Sequence, residues 1–355
     1  MRALVTGGAG FIGSALVRAL VRDGVERVVT IDKLTYAGNL ESLGQAREAP
    51  NHEFVQIDIA DQDAVRSTIS AADPDVIFHL AAESHVDRSI DGPRVFVETN
   101  VLGTFALLAE AMRHWQALPA ARRERFRFLH VSTDEVFGSL GPTGFFDETT
   151  AYDPSSPYSA TKAASDHLAR AWYRTYGLPV VVTNCSNNYG PYQFPEKLIP
   201  HMIVRALDGL TLPVYGAGAN VRDWLHVDDH VSALRTVVAR AEIGETYLIS
   251  GRNEHRNIDV VRAICTALDE LRPRDGGGSY AERIEFVKDR PGHDLRYAID
   301  ASRIESRLGW RAAIDFAAGL RDTVRWYIEN ETWWRRILSG EYRTDRLGLA
   351  ASHAP

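Results

Sequence analysis

Three glycines near the N-terminus limit the possible folds more than any other feature of the sequence. Residues 3–6 form an apolar run that leads directly into Gly7-Gly8-Ala9-Gly10-Phe11-Ile12-Gly13, and apolar residues then recur with helical spacing. This order predicts a strand, a tight turn and a helix. Gly7 and Gly10 let the backbone approach a pyrophosphate at the helix N-terminus, and Gly13 lets helix and strand pack closely. The spacing G-x-x-G-x-x-G is therefore typical of dinucleotide binding.

Asp32 indicates which dinucleotide the turn would hold. It ends a second predicted strand, residues 27–31, and follows Gly13 by nineteen residues. A carboxylate at this distance accepts hydrogen bonds from an adenosine ribose and repels a 2′-phosphate. The sequence therefore favours NAD over NADP, although the neighbouring Lys33 weakens that inference slightly.

Two more predicted strands deliver candidate cofactor contacts. Residues 53–57 end at Asp58-Ile59, and residues 75–80 open into the segment 80–84. Ligands collect beyond the carboxyl ends of buried parallel strands. We therefore expect Asp58 beside the adenine and residues 80–84 beside the middle of the cofactor. His85 and Asp87 fit a loop-stabilising role as well as a functional one.

A candidate reaction centre combines Thr133-Asp134-Glu135, at the end of a predicted strand over 127–132, with Tyr158 and Lys162. The Tyr-x-x-x-Lys spacing puts a phenol and an ammonium one helical turn apart on one face. The charge of Lys162 would lower the pKa of Tyr158 from about 10 toward neutrality. Asp134 and Glu135 are adjacent, so on an extended chain they point differently, which suits two proton-transfer roles. Each pattern alone is more often incidental, and the glycine turn upstream gives them weight.

The composition limits the class of protein. The chain has 355 residues, enough for two lobes, and its net charge of −7 argues against a nucleic-acid surface. Two cysteines without paired spacing indicate neither a disulfide framework nor a zinc site, and no metal is predicted. No apolar run approaches the roughly 20 residues of a membrane span, and Met1 leads straight into a strand. We expect a cytoplasmic enzyme with no membrane or nucleic-acid partner.

We predict an α/β fold: a Rossmann-type doubly wound parallel sheet with a smaller α/β C-terminal substrate-binding lobe. The first lobe covers residues 1–185, with 228–252 returning to it, and a discontinuous second lobe covers 186–340. Residues 341–355 are predicted to be a loosely ordered tail. Helices are predicted over 93–115, 158–176, 197–207, 228–241 and 257–271, the last capped by Asn257. The second lobe offers scattered cations, which suit phosphate oxygens but are singly more often ordinary surface residues: Lys197, Arg222, Arg252, Arg290 and His293.

Eight segments together resemble the dTDP-glucose 4,6-dehydratases of the extended short-chain dehydrogenase/reductase superfamily. The resemblance spans the chain to about Trp334. At position 84 many relatives carry threonine, and Ser84 retains the hydroxyl group. Asp134 and Glu135, the acid pair, separate this family from 4-epimerases, which typically carry Ser or Thr pairs at these positions. The segments are Gly7-Gly-Ala-Gly-Phe-Ile-Gly13, Asp32-Lys-Leu-Thr-Tyr-Ala-Gly-Asn39, Ala81-Ala-Glu-Ser-His-Val-Asp-Arg-Ser89, Ser132-Thr-Asp-Glu-Val-Phe-Gly138, Tyr158-Ser-Ala-Thr-Lys162, Asn184-Cys-Ser-Asn-Asn-Tyr-Gly-Pro191, Glu196-Lys-Leu-Ile-Pro200 and Arg222-Asp-Trp-Leu-His-Val-Asp228.

The resemblance implies a reaction. Tyr158, helped by Lys162, takes the C4 hydroxyl proton of the sugar while hydride passes to NAD, and Thr133 hydrogen-bonds the same oxygen. Glu135, ionised, removes the C5 proton, and Asp134, held protonated, protonates the departing C6 hydroxyl. Hydride then returns to C6. An elimination next to a carbonyl needs one acid and one base at once, which agrees with the residues.

The resemblance also implies binding residues and an assembly. Helices 93–115 and 158–176 would pack as a four-helix bundle in a homodimer. The implied cofactor contacts are Gly7, Gly10, Phe11, Ile12, Gly13, Asp32, Lys33, Leu34, Thr35, Asp58, Ile59, Leu80, Ala81, Ala82, Ser84, Thr99, Tyr158, Lys162 and Asn188. The implied contacts to dTDP-glucose are Ser84, Thr133, Glu135, Asn187, Lys197, Leu198, Tyr215, Arg222, Asn257, Arg290 and His293.

Two other readings stay open at this point. The first is another nucleotide-sugar enzyme, either a 4,6-dehydratase or a 4-epimerase acting on a UDP sugar. The second is a non-catalytic NAD-binding sensor on the same fold, which is disfavoured because Tyr158 and Lys162 are both present.

Overall fold

A computed structural model describes residues 1–289 and 293–339. Twelve strands are formed in this part of the chain: β1 (Arg2–Thr6), β2 (Arg27–Asp32), β3 (His52–Gln56), β4 (Val76–His79), β5 (Arg127–Thr133), β6 (Val180–Cys185), β7 (Asn187–Tyr189), β8 (Leu212–Tyr215), β9 (Val221–His226), β10 (Thr246–Ile249), β11 (Glu254–Arg256) and β12 (Ile284–Val287). The α-helices described are α1 (Phe11–Arg22), α2 (Gln62–Ala72), α3 (Val86–Asp91), α4 (Pro93–Phe96), α5 (Thr104–Ala117), α6 (Ala120–Arg123), α7 (Pro157–Tyr176), α8 (Leu198–Leu207), α9 (Val227–Arg240), α10 (Asn257–Leu271), α11 (Ser302–Leu308), α12 (Phe316–Glu329) and α13 (Glu331–Ser339).

Seven strands form a central parallel sheet in the order β10-β6-β5-β4-β1-β2-β3. Its middle strands are buried on both faces, as parallel sheets covered by helices must be. One apolar layer contains Leu16 of α1 and Leu234 of α9, and the other contains Val65 of α2 and Leu107 of α5. The predicted doubly wound Rossmann-type sheet is confirmed.

The strand order reverses beside β1, because β1 lies between β2 on one side and β4 on the other. The connections leaving these strands therefore diverge to opposite faces and open a crevice at their carboxyl ends. The β1 to α1 turn and the start of the β4 to α3 loop meet at this crevice. In this arrangement a Cβ on Gly7 would lie 2.7 Å from the backbone nitrogen of Ala81.

The second group of elements has its own apolar core. It contains a three-stranded sheet, β11-β9-β7, and a two-stranded sheet, β12-β8. Helices α8, α10, α12 and α13 pack there around buried residues such as Ile203, Ile264, Tyr327 and Trp334. The chain leaves this group through α9 and returns to the edge of the central sheet at β10, which pairs with β6. The division into lobes at residue 185 stays a prediction.

Two helix predictions need correction. The predicted helix over 93–115 is interrupted by a wider π-helical turn, Val97–Gly103, before α5 continues to Ala117. Inside this turn the Asn100 amide bonds both backbone groups of Glu83, so Asn100 ties the helix to the β4 loop. Asn257 does not cap α10: it is the first residue of the helix, and Arg256 precedes it.

The helical stretch Pro93–Ala117 resembles a membrane span in length and apolar composition more than the sequence analysis suggested. It is long and apolar enough to cross a membrane by length and composition, with 56% of its most apolar window buried inside the protein. A core helix passes the same test, so these properties are weak support for a membrane span.

Candidate active site

The glycine turn is built as its spacing predicts. Gly7 has φ +69°, which a residue with a Cβ rarely adopts, and its amide donates to the Ile31 carbonyl at 2.8 Å. A Cβ on Gly13 would lie 2.1 Å from the carbonyl oxygen of Gly7. Helix α1 therefore begins directly against the turn, with its N-terminal amides facing the crevice.

Asp32 is held in place by two backbone amides. Its Oδ2 accepts from Ala9 at 3.1 Å, and its Oδ1 accepts from Leu34 at 2.8 Å. Burial raises the pKa of Asp32, and these hydrogen bonds oppose that rise. A carboxylate oxygen has two lone pairs, so both oxygens keep an acceptor site for a ribose hydroxyl.

Lys33 closes the end of the crevice nearest the predicted adenine. Its Nζ lies 3.1 Å from Thr99 Oγ1, 3.4 Å from Asp58 Oδ2 and 3.9 Å from Glu83 Oε1. Lys33 is therefore engaged by neighbouring oxygens, and a 2′-phosphate would meet Asp32 next to it. This arrangement supports the preference for NAD that the sequence predicts.

A first cleft follows the carboxyl ends of β1, β2, β4 and β5. Of the predicted cofactor residues, only Leu34 and Asp58 do not line it. The others do: Gly7, Gly10, Phe11, Ile12, Gly13, Asp32, Lys33, Thr35, Ile59, Leu80, Ala81, Ala82, Ser84, Thr99, Tyr158, Lys162 and Asn188.

The acid pair sits where the first cleft meets a second one. Asp134 is 1% exposed, and Glu135, which is less buried, lines both clefts. The Thr133 hydroxyl donates to Asp134 Oδ1 at 3.3 Å, while Asp134 Oδ2 has no hydrogen-bond partner among the described residues. Burial raises the pKa of Asp134 well above its usual value, and the carboxylates of Glu135 and Asp223 raise it further. Asp134 is therefore suited to hold a proton.

Tyr158 and Lys162 project from the first two turns of α7 into the first cleft. Ser156 starts the helix with a reciprocal capping box, and Pro157 occupies its first position. The Lys162 Nζ donates to the Val131 carbonyl at 2.9 Å, and burial lowers the pKa of Lys162. Both side chains are buried, Tyr158 at 8% exposure and Lys162 at 5%.

The predicted lowering of the Tyr158 pKa is wrong for the protein chain by itself. Burial raises the pKa of Tyr158 well above 10, and the charge of Glu135 raises it further. The spacing correctly predicted that Tyr158 and Lys162 lie one turn apart on a helix. It could not show that burial affects the pKa of Tyr158 more than the charge of Lys162 does. A productive base at Tyr158 needs additional positive charge close to its oxygen.

A second cleft lies between the two groups of elements. It is lined by the predicted substrate residues Glu135, Asn187, Lys197, Leu198, Tyr215, Arg222, Asn257 and His293. Ser84 and Thr133 line the first cleft instead. Arg290 lies outside the described residues. Arg252 lines neither cleft: it pairs with Glu305 at 2.7 Å.

Several groups in the second cleft are prepared for a polar ligand. The side-chain oxygens of Asn187 and Asn257 and the indole nitrogen of Trp224 are buried without a hydrogen-bond partner among residues 1–289 and 293–339. Leaving such groups unpaired is costly, so a ligand that bonds them recovers free energy. The Arg222 guanidinium lies 4.2 Å over the Tyr297 ring and donates to the Asp294 carbonyl at 2.9 Å.

Sequence reasoning missed a group of residues around Glu196, which lines both clefts. The Arg88 guanidinium lies 3.7 Å over the Tyr36 ring and donates to Glu196 at 3.0 Å. The Tyr36 ring packs edge-on against Phe194, with centroids 5.5 Å apart. Phe194 and Glu196 line the first cleft, so this contact closes the loop after β2 over it. These residues come from three distant segments, and no local pattern could have connected them.

The fold and the paired clefts first define a class: a Rossmann-type protein of the short-chain dehydrogenase/reductase type, with its reaction centre between two ligand sites. A family model described as GDP-mannose 4,6 dehydratase matches residues 4–323. A dTDP-glucose 4,6-dehydratase of Neisseria meningitidis serogroup B is 57% identical over 348 residues, 97% of this chain and 98% of that protein. The enzyme of that name from Escherichia coli is 54% identical over 361 residues, 98% of this chain and 99% of that protein.

Solved structures agree with these relatives. DesIV, a dTDP-glucose 4,6-dehydratase from Streptomyces venezuelae solved with NAD bound, has a TM-score of 0.87 and 46% identity. The match covers 95% of this chain and all of that one. A UDP-glucose 4-epimerase from Thermus thermophilus in complex with NAD has a TM-score of 0.81 but 27% identity over 93% of this chain and 100% of the other. The chain belongs to the dTDP-glucose 4,6-dehydratase family.

Proposed function

We propose that this chain is an NAD-dependent hydro-lyase that converts dTDP-glucose to dTDP-4-keto-6-deoxyglucose and water. The observation that carries the proposal is Asp134, a buried carboxyl group prepared to hold a proton beside Glu135, where the two clefts meet. Elimination of water next to a carbonyl needs such an acid together with a base. The names of relatives at 54–58% identity support the same reaction.

The residues of the first cleft fit NAD. There is no room for a Cβ on Gly7 or Gly13, so the turn stays close to the start of α1, where a pyrophosphate would approach, and Asp32 keeps acceptor sites for a ribose. Bound in this cleft, NAD would supply the hydride acceptor for oxidation at C4 and the hydride donor for reduction at C6. Asn188 is proposed to contact the nicotinamide end, which is supported by its position in the wall of the first cleft, where its side chain donates to the Ser186 carbonyl at 2.9 Å.

Tyr158 serves as the base for the C4 hydroxyl proton, with Thr133 hydrogen-bonding the same oxygen. Because burial raises the pKa of Tyr158, the ammonium of Lys162 must favour the phenolate, and an oxidised nicotinamide would add positive charge beside it. Oxidation of C4 to a ketone acidifies the hydrogen on C5, which prepares the elimination.

Asp134 and Glu135 divide the elimination between them. Glu135 takes the C5 proton, and Asp134 gives its proton to the departing C6 hydroxyl. The structure supports this division because Asp134 is the deeper of the two and its pKa is raised by burial. Dehydration removes the C6 oxygen as water, and C5 is protonated again after hydride returns.

The second cleft holds the nucleotide diphosphate. Arg222 and Lys197 line this cleft and supply positive charge, and His293 lines it as well. Arg290, which lies outside the described residues, is proposed to contact the diphosphate too. Asn187 and Asn257 offer their unpaired oxygens to donors on the ligand. Leu198 and Tyr215 line its apolar wall. Residues 186–340 would thus form the substrate lobe, apart from the segment 228–252.

The assembly is proposed to be a homodimer of cytoplasmic protein. Exposed apolar side chains cluster on the helical stretch 93–117 and on α7: Val95, Val97, Leu102, Phe105, Tyr173 and Tyr176. Two copies of this pair of helices would bury them as a four-helix bundle. Leu102→Glu should give a monomer by analytical ultracentrifugation, while Phe286→Glu, on exposed β12, should leave the dimer intact. Cell fractionation tests the location.

The deciding experiment is a product assay on purified protein. Incubation with dTDP-glucose should give the base-induced absorbance of a 4-keto-6-deoxy sugar, and UDP-glucose should give far less. A C4 epimer without keto product would contradict the proposal. Asp134→Asn and Glu135→Gln should retain slow oxidation at C4 but stop dehydration. The matched control Asp147→Asn changes a carboxyl group outside both clefts and should dehydrate normally.

A further inference from the structure

A buried carboxylate lies behind Lys162 and takes no part in the mechanism above. Asp166 follows Lys162 by four residues, so both side chains leave α7 on one face, one turn apart. Asp166 is fully buried. Its oxygens are bonded by His130 Nε2 at 2.9 Å, by the Tyr152 hydroxyl at 2.8 Å and by Asn184 Nδ2 at 3.1 Å.

These partners hold Asp166 as an anion. The Tyr152 hydroxyl and the Asn184 amide both donate to Oδ2, which suits a carboxylate that only accepts. Burial alone would raise the pKa of Asp166, but the hydrogen bond from His130 and the charge of Lys162 bring it below its usual value. A negative charge therefore sits in the protein interior directly behind the reaction centre.

Most other titratable groups around Lys162 and Asp166 are buried, and burial favours their neutral forms. Burial lowers the pKa of His130 and of His79, whose rings lie 5.2 Å apart, and so favours the neutral form of both. Burial raises the pKa of Tyr152, and it raises that of Cys185 to about 12. The partly buried Arg170 is the other cation nearby, and it donates to the Tyr152 hydroxyl and to Thr246.

Among the groups around Lys162, Asp166 most strongly favours its charged form. Lys162 bonds the Val131 carbonyl, and it forms no ion pair within 4.0 Å in the described part of the chain. Burial lowers the pKa of Lys162, and Asp166 is the strongest influence in the opposite direction. A buried ammonium without a counter-ion would lose its proton.

We propose that Asp166 is a positioning residue of the reaction: it is the buried counter-ion that holds Lys162 in its charged form beside Tyr158. The inference rests on the proposed function, in which Tyr158 is the base. Tyrosinate with ammonium and tyrosine with neutral amine carry the same net charge and differ only in which group holds one proton. An anion on the lysine side favours the first arrangement, which is the reactive one.

The test is the pH profile of C4 oxidation in Asp166→Asn. Oxidation is followed by the absorbance of reduced nicotinamide on rapid mixing of the NAD-loaded protein with dTDP-glucose. We expect the high-pH plateau to fall at least about tenfold, the effect of one pKa unit. The acid limb should move to lower pH, because Lys162 now loses its proton before Tyr158. Tyr152→Phe removes one hydrogen bond to Asp166 but leaves its charge, and should change the plateau less than about twofold.

A role in folding alone predicts a different result. It would lower the amount of active protein and leave the acid limb of the profile unmoved. An unmoved acid limb, or an unchanged plateau, in Asp166→Asn overturns the inference. If the wild-type protein forms no 4-keto product from dTDP-glucose, the proposed function fails instead, and the inference is then decided by stability.

Stability supplies that second measurement. Removing one member of a buried pair of opposite charges is strongly destabilising, whereas removing both is much less so. Asp166→Asn with Lys162→Met should therefore unfold at a higher denaturant concentration than Asp166→Asn alone. This comparison also applies if Asp166→Asn by itself fails to fold. Additive losses, or a double variant less stable than the single one, would overturn the pairing.

Discussion

Replacing Asp134 by asparagine is expected to stabilise the folded protein while it stops dehydration. In the unfolded chain Asp134 ionises above its ordinary pKa of about 3.9. In the folded protein burial raises the pKa of Asp134, so the group keeps its proton to higher pH. The folded state therefore binds more protons, and its stability falls as pH rises from about 3.9 toward the folded pKa. An amide in the same place has no such cost.

The size of this effect follows from proton linkage. A group protonated in the folded state and ionised in the unfolded state costs about 1.4 kcal/mol for each pH unit. We expect the free energy of unfolding of Asp134→Asn to exceed that of the wild type by an amount that grows at up to this slope above about pH 4. The difference should level off at the folded pKa of Asp134.

The assay is urea unfolding of both proteins at a series of pH values, with the NAD content held equal. Asp147→Asn is the control of opposite sign, because hydrogen bonds from Thr149 hold the pKa of Asp147 below its usual value. It should be less stable than the wild type by an amount that is constant above about pH 5. A difference for Asp134→Asn that is likewise independent of pH would show that Asp134 is ionised in the folded protein, and would refute its role as the acid.

Three other changes have expected outcomes. Gly13→Ala places a methyl group 2.1 Å from the Gly7 carbonyl oxygen and should abolish retention of NAD, measured as NAD content after purification. Asn257→Leu removes a buried, unpaired oxygen, so it should raise the melting temperature slightly but raise KM for dTDP-glucose about tenfold with kcat unchanged. Trp334→Ala empties the fully buried core position at which the indole donates to the Tyr327 carbonyl, and should lower the free energy of unfolding by about 3–5 kcal/mol in urea titrations.

Local sequence patterns were sufficient to predict the strands, turn and helix that surround the proposed reaction centre. The glycine turn, the strand ending at Thr133 and the helix carrying Tyr158 and Lys162 each have their own start, stop or periodicity signal. Parallel strands bring their carboxyl ends to one edge, so locating each strand also located the side chains that follow it. This is why almost all of the predicted cofactor residues meet in one cleft.

What the sequence could not supply depends on pairing and burial between distant segments. Strand β7 (Asn187–Tyr189) pairs with β9 (Val221–His226) across more than thirty residues, and no local signal specifies this register. The same holds for Tyr36, Arg88 and Glu196, which close the first cleft. Arg252 was a candidate phosphate-binding residue because it is an arginine, but in the fold it forms an ion pair with Glu305 instead.

The error on Tyr158 shows what the site requires. In the proposed reaction Asp134 and Tyr158 both transfer protons; both are buried, and burial favours the neutral form of each. For Asp134 the neutral form is the working form, so the protein interior suffices. For Tyr158 the working form is the anion, so burial opposes the chemistry and positive charge must be brought in. Lys162 brings that charge into an interior that tends to remove its proton, and a fixed anion behind it is the remaining physical requirement. Asp166 is placed to meet that requirement.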